Sequence, residues 1–257
     1  MRDRIIRKLK EIERDEDIRI LFAVESGSRA WGFHSPDSNY DVRFVYARPV
    51  QWHYRLDQVR DVVERPIDDE LDLSGWELGK ALKLAVGSNA VIGEWLQSPI
   101  RYLGDPEAVD LLTGFCAQAL DRRSVTWHYL RLMSRQRSRL IGPGGHPRIK
   151  RYFYVLRPAL ALRWMRLQQQ ALPPMHMAGL MLGCDLNDAT RAAIDRLVEQ
   201  KISAKERAEI PNTDPLLDSL IDAEEQAAQD WLSTPAQRAR QDLWDSASKL
   251  HLRLSGA

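Results

Sequence analysis

Cysteine is almost missing from this chain: Cys116 and Cys184 are the two among 257 residues, and neither lies in a Cys-x-x-Cys pair. That excludes a disulfide-stapled scaffold and a cysteine-rich metal centre. Both thiols are expected to be reduced and buried. The six histidines are scattered at 34, 53, 128, 146, 176 and 251. No pair has zinc-ligand spacing, so a zinc site is not expected. No run of about 18 apolar residues occurs, so no membrane span is expected. The opening Met-Arg-Asp-Arg-Ile-Ile-Arg-Lys is too charged for a secretory signal, and a cytoplasmic setting is expected. Repeats and low-complexity tracts are lacking too.

Acidic residues are missing from one long stretch. Between Arg122 and Cys184 there is no Asp or Glu, although the net charge of the whole chain is only +1. The stretch carries Arg122, Arg123, Arg131, Arg135, Arg137, Arg139, Arg148, Lys150, Arg151, Arg157, Arg163 and Arg166. Segregated cations are the footprint of a phosphate-rich partner. The competing reading is a set of helices balanced by acids from elsewhere in the fold.

What is present reads as an α+β chain. Ile5, Ile6, Leu9 and Ile12 mark a helix over residues 3–16. Arg19 to Val24 reads as a buried strand and Tyr40 to Tyr46 as a second. Asp61 to Glu64 and Glu70 to Leu73 read as two short strands, turning at Pro66 and Asp68-Asp69. Ser74 suits an N-cap for a helix from about Trp76 to Val86, with Glu77 completing a capping box. After Gly87 nearly everything reads as helix, broken at Ser98-Pro99, the Gly142-to-Gly145 loop, Pro173-Pro174 and Pro211. The expected domains are residues 1–100, small and mixed, and 101–257, all helical.

The densest chemistry lies between Gly27 and Arg43. Gly27-Ser28 follows an apolar strand, a turn in which glycine lets N–H groups approach phosphates closely. Asn39 and Asp41 sit at i and i+2, the spacing that points two strand side chains the same way. Asp72 on a later strand could add a third oxygen ligand. Such a set suits transfer of a nucleotidyl group: phosphates cradled, metal ions bridging them, a hydroxyl in line. Arg29 and Arg43 flank the set, Arg43 on the face of Asp41. Asp37 and Ser38 suit a turn that aims the strand. Trp31 reads as packing, and Trp127, Tyr129 and Trp164 as core. Asn89 and Glu94 read as helix-end groups. Tyr152 and Tyr154 interleave with cations in a pattern that suits RNA.

These residues resemble the DNA polymerase β nucleotidyltransferase superfamily, and more closely its bacterial subgroup placed in RNA repair beside an RNA ligase. The resemblance runs through residues 25–33, 35–43, 69–76, 94–99 and 150–158, in order. It implies a polymerase-β-like domain followed by an all-helical domain, and a transferase using Mg²⁺ or Mn²⁺ and a nucleoside triphosphate, ATP favoured. The implied ligands of the metal are Asn39, Asp41 and Asp72. The implied nucleotide contacts are Gly27, Ser28, Arg29, Ser38, Arg43, Lys150 and Tyr154. In relatives a Lys and a Tyr one helical turn apart reach the triphosphate, and Lys150 and Tyr154 match them. The implied partners are RNA, such as a tRNA or a broken RNA end, and an RNA ligase. Protein or small-molecule acceptors are the alternative within the superfamily, and a nucleotide-binding or RNA-binding protein without catalysis is a further one.

Asn39 departs from the pattern. The subgroup has Asp there, and an Asn oxygen brings no charge to a hard cation. An engineered inactive form, a degenerate natural member and an active enzyme with weaker metal binding are the three readings of that residue.

Overall fold

The computed structural model describes residues 1–57, 60–67, 70–205, 208–235 and 242–256. Asp68 and Asp69, expected at a turn, lie outside them. The chain divides into two compact units that are not consecutive in sequence.

The first unit comprises residues 1–30, residues 39–120 and the last helix. Its centre is a sheet of β1 (Arg19–Glu25), β2 (Tyr40–Ala47), β3 (Val62–Glu64), β4 (Leu71–Glu77) and β5 (Arg101–Gly104). The strand order is β3-β4-β2-β1-β5. β2 and β4 run parallel, and the remaining neighbours are antiparallel. β1 is buried from Ile20 to Glu25 because sheet neighbours flank both its edges and helices cover it. Helix α1 (Arg2–Glu16) lays Ile5, Leu9 and Ile12 against the sheet, joining Val42, Phe44, Leu71 and Leu73 in one core.

Two expectations need correction here. β4 runs through Ser74 and Trp76, because Arg43 pairs with Ser74 and Val45 with Trp76 across the parallel ladder. The N-cap of α3 (Leu78–Val86) is therefore Glu77, whose carboxylate accepts from the N–H groups of Gly79 and Lys80. The stretch after Gly87 is also not wholly helical, since Arg101–Gly104 forms β5 on the edge of β1. Helices α4 (Ala90–Leu96) and α5 (Pro106–Ala119) follow in the same unit, so the unit runs past the expected boundary near residue 100 to Leu120. Asn89 caps α4, accepting from Val91 N–H at 2.9 Å. The last helix, α11 (Trp244–Ser255), packs on α3 and α5.

The second unit comprises residues 31–38 and the helices α6 (Arg122–Arg137), α7 (Ile149–Gln168), α8 (Met177–Gly183), α9 (Asp188–Ser203) and α10 (Pro215–Ser233). α7 is its axis and packs against α6, α8, α9 and α10. The segment 31–38 is held there by aromatic stacking: Phe33 lies on Phe153 at 4.3 Å, and Trp31 meets Tyr154 edge-on at 5.3 Å. Buried Lys201 donates to the Ser35 hydroxyl of the same segment. Cys116 and Cys184 are free and buried, and burial pushes both thiols up to about 12.

Candidate functional site: paired carboxylates beside a glycine-serine turn

The parallel pairing of β2 with β4 sets Asp41 directly opposite Asp72. Residues in register on neighbouring strands present side chains to the same sheet face, so the two carboxylates share one patch. Arg43 holds them there. Its guanidinium donates to Asp72 Oδ2 at 2.7 Å and lies 4.0 Å from Asp41 Oδ1. A second donation reaches the Asp72 carbonyl at 3.1 Å. One guanidinium against two carboxylates leaves the patch with an excess of negative charge.

The turn after β1 closes over this patch. Ser26 N–H donates to the Asp41 carbonyl at 2.9 Å. A Cβ placed on Gly27 would sit 1.8 Å from Asp41 Oδ2. Glycine is required there by close approach: the carboxylate occupies the space a side chain would need. Ser28 is buried at the start of α2 (Ser28–Trp31), immediately past the turn. Arg29 spreads over the Tyr40 ring at 3.8 Å and donates to the Asn39 carbonyl at 3.3 Å.

A residue that sequence reasoning missed fixes Asp41 from behind. Glu25, wholly buried, accepts from Asp41 N–H at 2.7 Å and from the Tyr102 hydroxyl at 2.6 Å. Burial raises the pKa of its carboxyl above the usual range, against the lowering effect of those two hydrogen bonds. The signal available in the sequence was a carboxylate ending an apolar strand, where an unpaired charge would be costly.

Asn39 is exposed and lies one residue ahead of β2, which begins at Tyr40. The strand periodicity that aligns Asp41 with Asp72 therefore starts after it. Ser38 belongs to the second unit, where its hydroxyl accepts from Ser35 N–H at 2.9 Å. Lys150 and Tyr154 share one face of α7, with the Lys150 ammonium 5.6 Å from the Tyr154 ring centre.

Three cations of the acid-free segment are balanced from α10. Glu224, almost fully buried, accepts from Arg163 at 2.8 Å and from Arg166 at 2.6 Å. Arg137 pairs with Asp222 at 2.6 Å and Glu225 at 2.8 Å. Arg122 and Arg123 lie over Trp231, and buried Arg157 donates to the Met175 carbonyl at 3.1 Å. Much of the cationic run is thus structural. Tyr152, read as an RNA-facing residue, is buried and donates to Asp218 at 2.9 Å. Trp127, read as core, is exposed and carries Arg131 at 5.3 Å.

Hard oxygen donors on two adjacent strands, packed against a turn with room only for glycine, fit Mg²⁺ or Mn²⁺. Asp41 and Asp72 are the residues that would hold it. A mixed sheet presenting this pair beside a Gly-Ser turn is the frame of a nucleotidyltransferase of the polymerase β type. A family model described as the RNA repair pathway DNA polymerase beta family matches residues 1–252, and the chain belongs to that family. It is 41% identical over 206 residues to the uncharacterized protein YcgL of Bacillus subtilis (strain 168), an alignment covering 80% of this chain and 78% of that protein. It is also similar to a solved nucleotidyltransferase-like protein from Exiguobacterium sibiricum 255-15, with a TM-score of 0.31 and 12% identity, covering 89% of this chain and 74% of that one. The last likeness is too low to add to the assignment. No helix among the described residues is long and apolar enough to cross a membrane.

Proposed function

We propose that the protein transfers a nucleoside monophosphate from a nucleoside triphosphate to a hydroxyl, with an RNA end in a repair reaction as the acceptor. The observation that carries this reading is the register of Asp41 against Asp72 beside Gly27. A divalent metal bound there would neutralise charge on the phosphates and on the attacking oxygen. The turn at Gly27 and Ser28 offers the phosphates backbone N–H groups and a hydroxyl. Asp72 is the candidate acceptor of the hydroxyl proton, and Arg43 fixes its carboxylate from one side. Glu25 and Arg43 are positioning residues, acting through the two acids. For Lys150 and Tyr154, phosphate contact rests on the family resemblance and on their shared helix face. A cytoplasmic setting and an RNA ligase partner rest on the resemblance and the family description.

The test uses a triphosphate radiolabelled at the α-phosphorus, incubated with the protein, Mg²⁺ and a mixed RNA pool. Label on RNA supports the proposal, and its loss in Asp41→Asn and Asp72→Asn ties it to this site. Label that appears nowhere, even with Asn39→Asp, overturns transferase activity.

A second reading keeps the chemistry and changes the acceptor to a protein or small molecule. It is favoured by the pairing of Arg137, Arg163 and Arg166 with α10 acids, which removes cations from RNA contact. The same assay separates the two by where the label travels.

A further inference from the structure

The geometry points to a second metal site: we propose that His53, Glu77 and His251 bind one zinc-class divalent ion. The three residues belong to the first unit and come from three elements. His53 lies on a short 3-10 helix (Val50–Tyr54), Glu77 ends β4 and caps α3, and His251 projects from α11. One ligand atom from each lies within 4.8 Å of the others. Among the described residues no other group of three or more His, Cys, Asp or Glu gathers this closely.

Glu77 supplies the observation that points to a ligand. The residue is 4% exposed. Its Oε2 accepts from Gly79 N–H at 2.6 Å and Lys80 N–H at 3.2 Å. Its Oε1 is buried and accepts no hydrogen bond, lying 3.5 Å from His251 Nε2. A buried carboxylate oxygen that accepts no hydrogen bond is rare, and a bound cation is a physical reason for one. One oxygen anchored by backbone donors and the other bare is also how ligating carboxylates are held.

The spacing fits. Donors around a tetrahedral zinc ion stand roughly 3.3 Å apart, given metal–ligand lengths near 2 Å. His251 and Glu77 are already at that distance. The His53 ring, 4.7 Å from the His251 ring and steeply tilted to it, is exposed and needs up to about 1.5 Å of movement. Gly79 leaves the space open, since a Cβ there would meet Glu77 Oε2 at 2.9 Å and His251 Nε2 at 3.4 Å.

Two imidazoles and a carboxylate select zinc or a similar first-row ion over Mg²⁺ and Ca²⁺. Three protein ligands leave a fourth position for water or another small ligand. The site is separate from the Asp41–Asp72 pair. Asp72 and Glu77 are five residues apart on β4, about 16 Å along the strand and on opposite faces by the odd spacing. The proposal therefore stands whether or not the nucleotidyltransferase reading holds.

The test uses the full chain without a histidine tag. Zinc is titrated against a chelating dye, and Co²⁺ is added separately to look for visible d–d bands. The expected result is one zinc per chain, with tetrahedral-type cobalt bands. His53→Gln, His251→Gln and Glu77→Gln should each weaken binding by about 100-fold or more, beyond what loss of an outer-shell contact costs. His53 is exposed, and Gln at 77 keeps an oxygen for the α3 cap, so these variants should fold, which circular dichroism checks. Zinc should raise the unfolding midpoint of the parent protein but not of His53→Gln. If the parent chain binds no stoichiometric zinc, or binds it equally well after His53→Gln and His251→Gln, the cluster is an ion pair and the proposal is wrong.

Discussion

Gly27 and Asp41 touch so closely that a single methyl group at residue 27 would fall 1.8 Å from Asp41 Oδ2. Gly27→Ala must move either the turn or the carboxylate. A displacement of about 1 Å at reacting groups can cost about 100-fold in rate. Single-turnover transfer should fall by that order, with the circular dichroism spectrum unchanged. A fully active Gly27→Ala protein would remove the turn from the site.

Asn39 contributes no charge where the family resemblance expects a carboxylate. Asn39→Asp should raise nucleotidyl transfer at millimolar Mg²⁺ and lower the Mg²⁺ concentration for half-maximal rate. Equal rates for the two forms across an Mg²⁺ titration would show that residue 39 is not a metal ligand.

Arg43 compensates two acids at once. Arg43→Met should lower stability by roughly 1–3 kcal/mol, between the values for exposed and buried pairs, because the groups are partly buried. Mg²⁺ should restore more stability to this variant than to the parent. Denaturant unfolding with and without Mg²⁺ reads the difference.

Glu25 gives a pH signature. Its folded pKa is raised, chiefly by burial, so the folded state favours the protonated carboxyl. By linkage its contribution is full below the unfolded value near 4.5 and is lost as pH rises through the folded value. Glu25→Gln should therefore flatten the decline in stability above that pH. Urea unfolding at several pH values checks this, and a parallel decline in both proteins would refute it.

The cations of the acid-free segment should separate into two classes. Arg166→Ala breaks a pair with buried Glu224 and should reduce stability while leaving the salt slope of RNA binding unchanged. Arg135 and Arg139 are exposed on the same basic stretch. Replacing each by Ala should reduce the slope of log K against log salt by about 1 if they meet phosphate.

The placement of the candidate site was legible where local periodicity and the turn coincide. Gly27, Asp41 and the strand carrying Asp72 could be read because strand alternation and glycine punctuation are local signals. The register of Asp41 with Asp72 could not, because it depends on pairing across 31 residues of chain. Ser74 looked like a helix cap, yet ladder bonds to β2 and β3 outweigh that propensity and move the cap to Glu77. In the acid-free segment the pairing of Arg137, Arg163 and Arg166 could not be read locally, because their counter-charges lie on α10, far along the chain. His53 and His251 meet Glu77 only through tertiary packing, so histidine spacing carried no trace of the cluster.

The placement of α11 bears on how the molecule is made. The helix packs on α3 and α5, elements that leave the ribosome more than a hundred residues earlier. Until α11 emerges, the faces of α3 and α5 that receive it stay uncovered. Such long-range closure is slow and leaves surfaces open to mispairing during synthesis. The nascent chain thus carries α3 and α5 through more than a hundred further residues without the helix that packs on them.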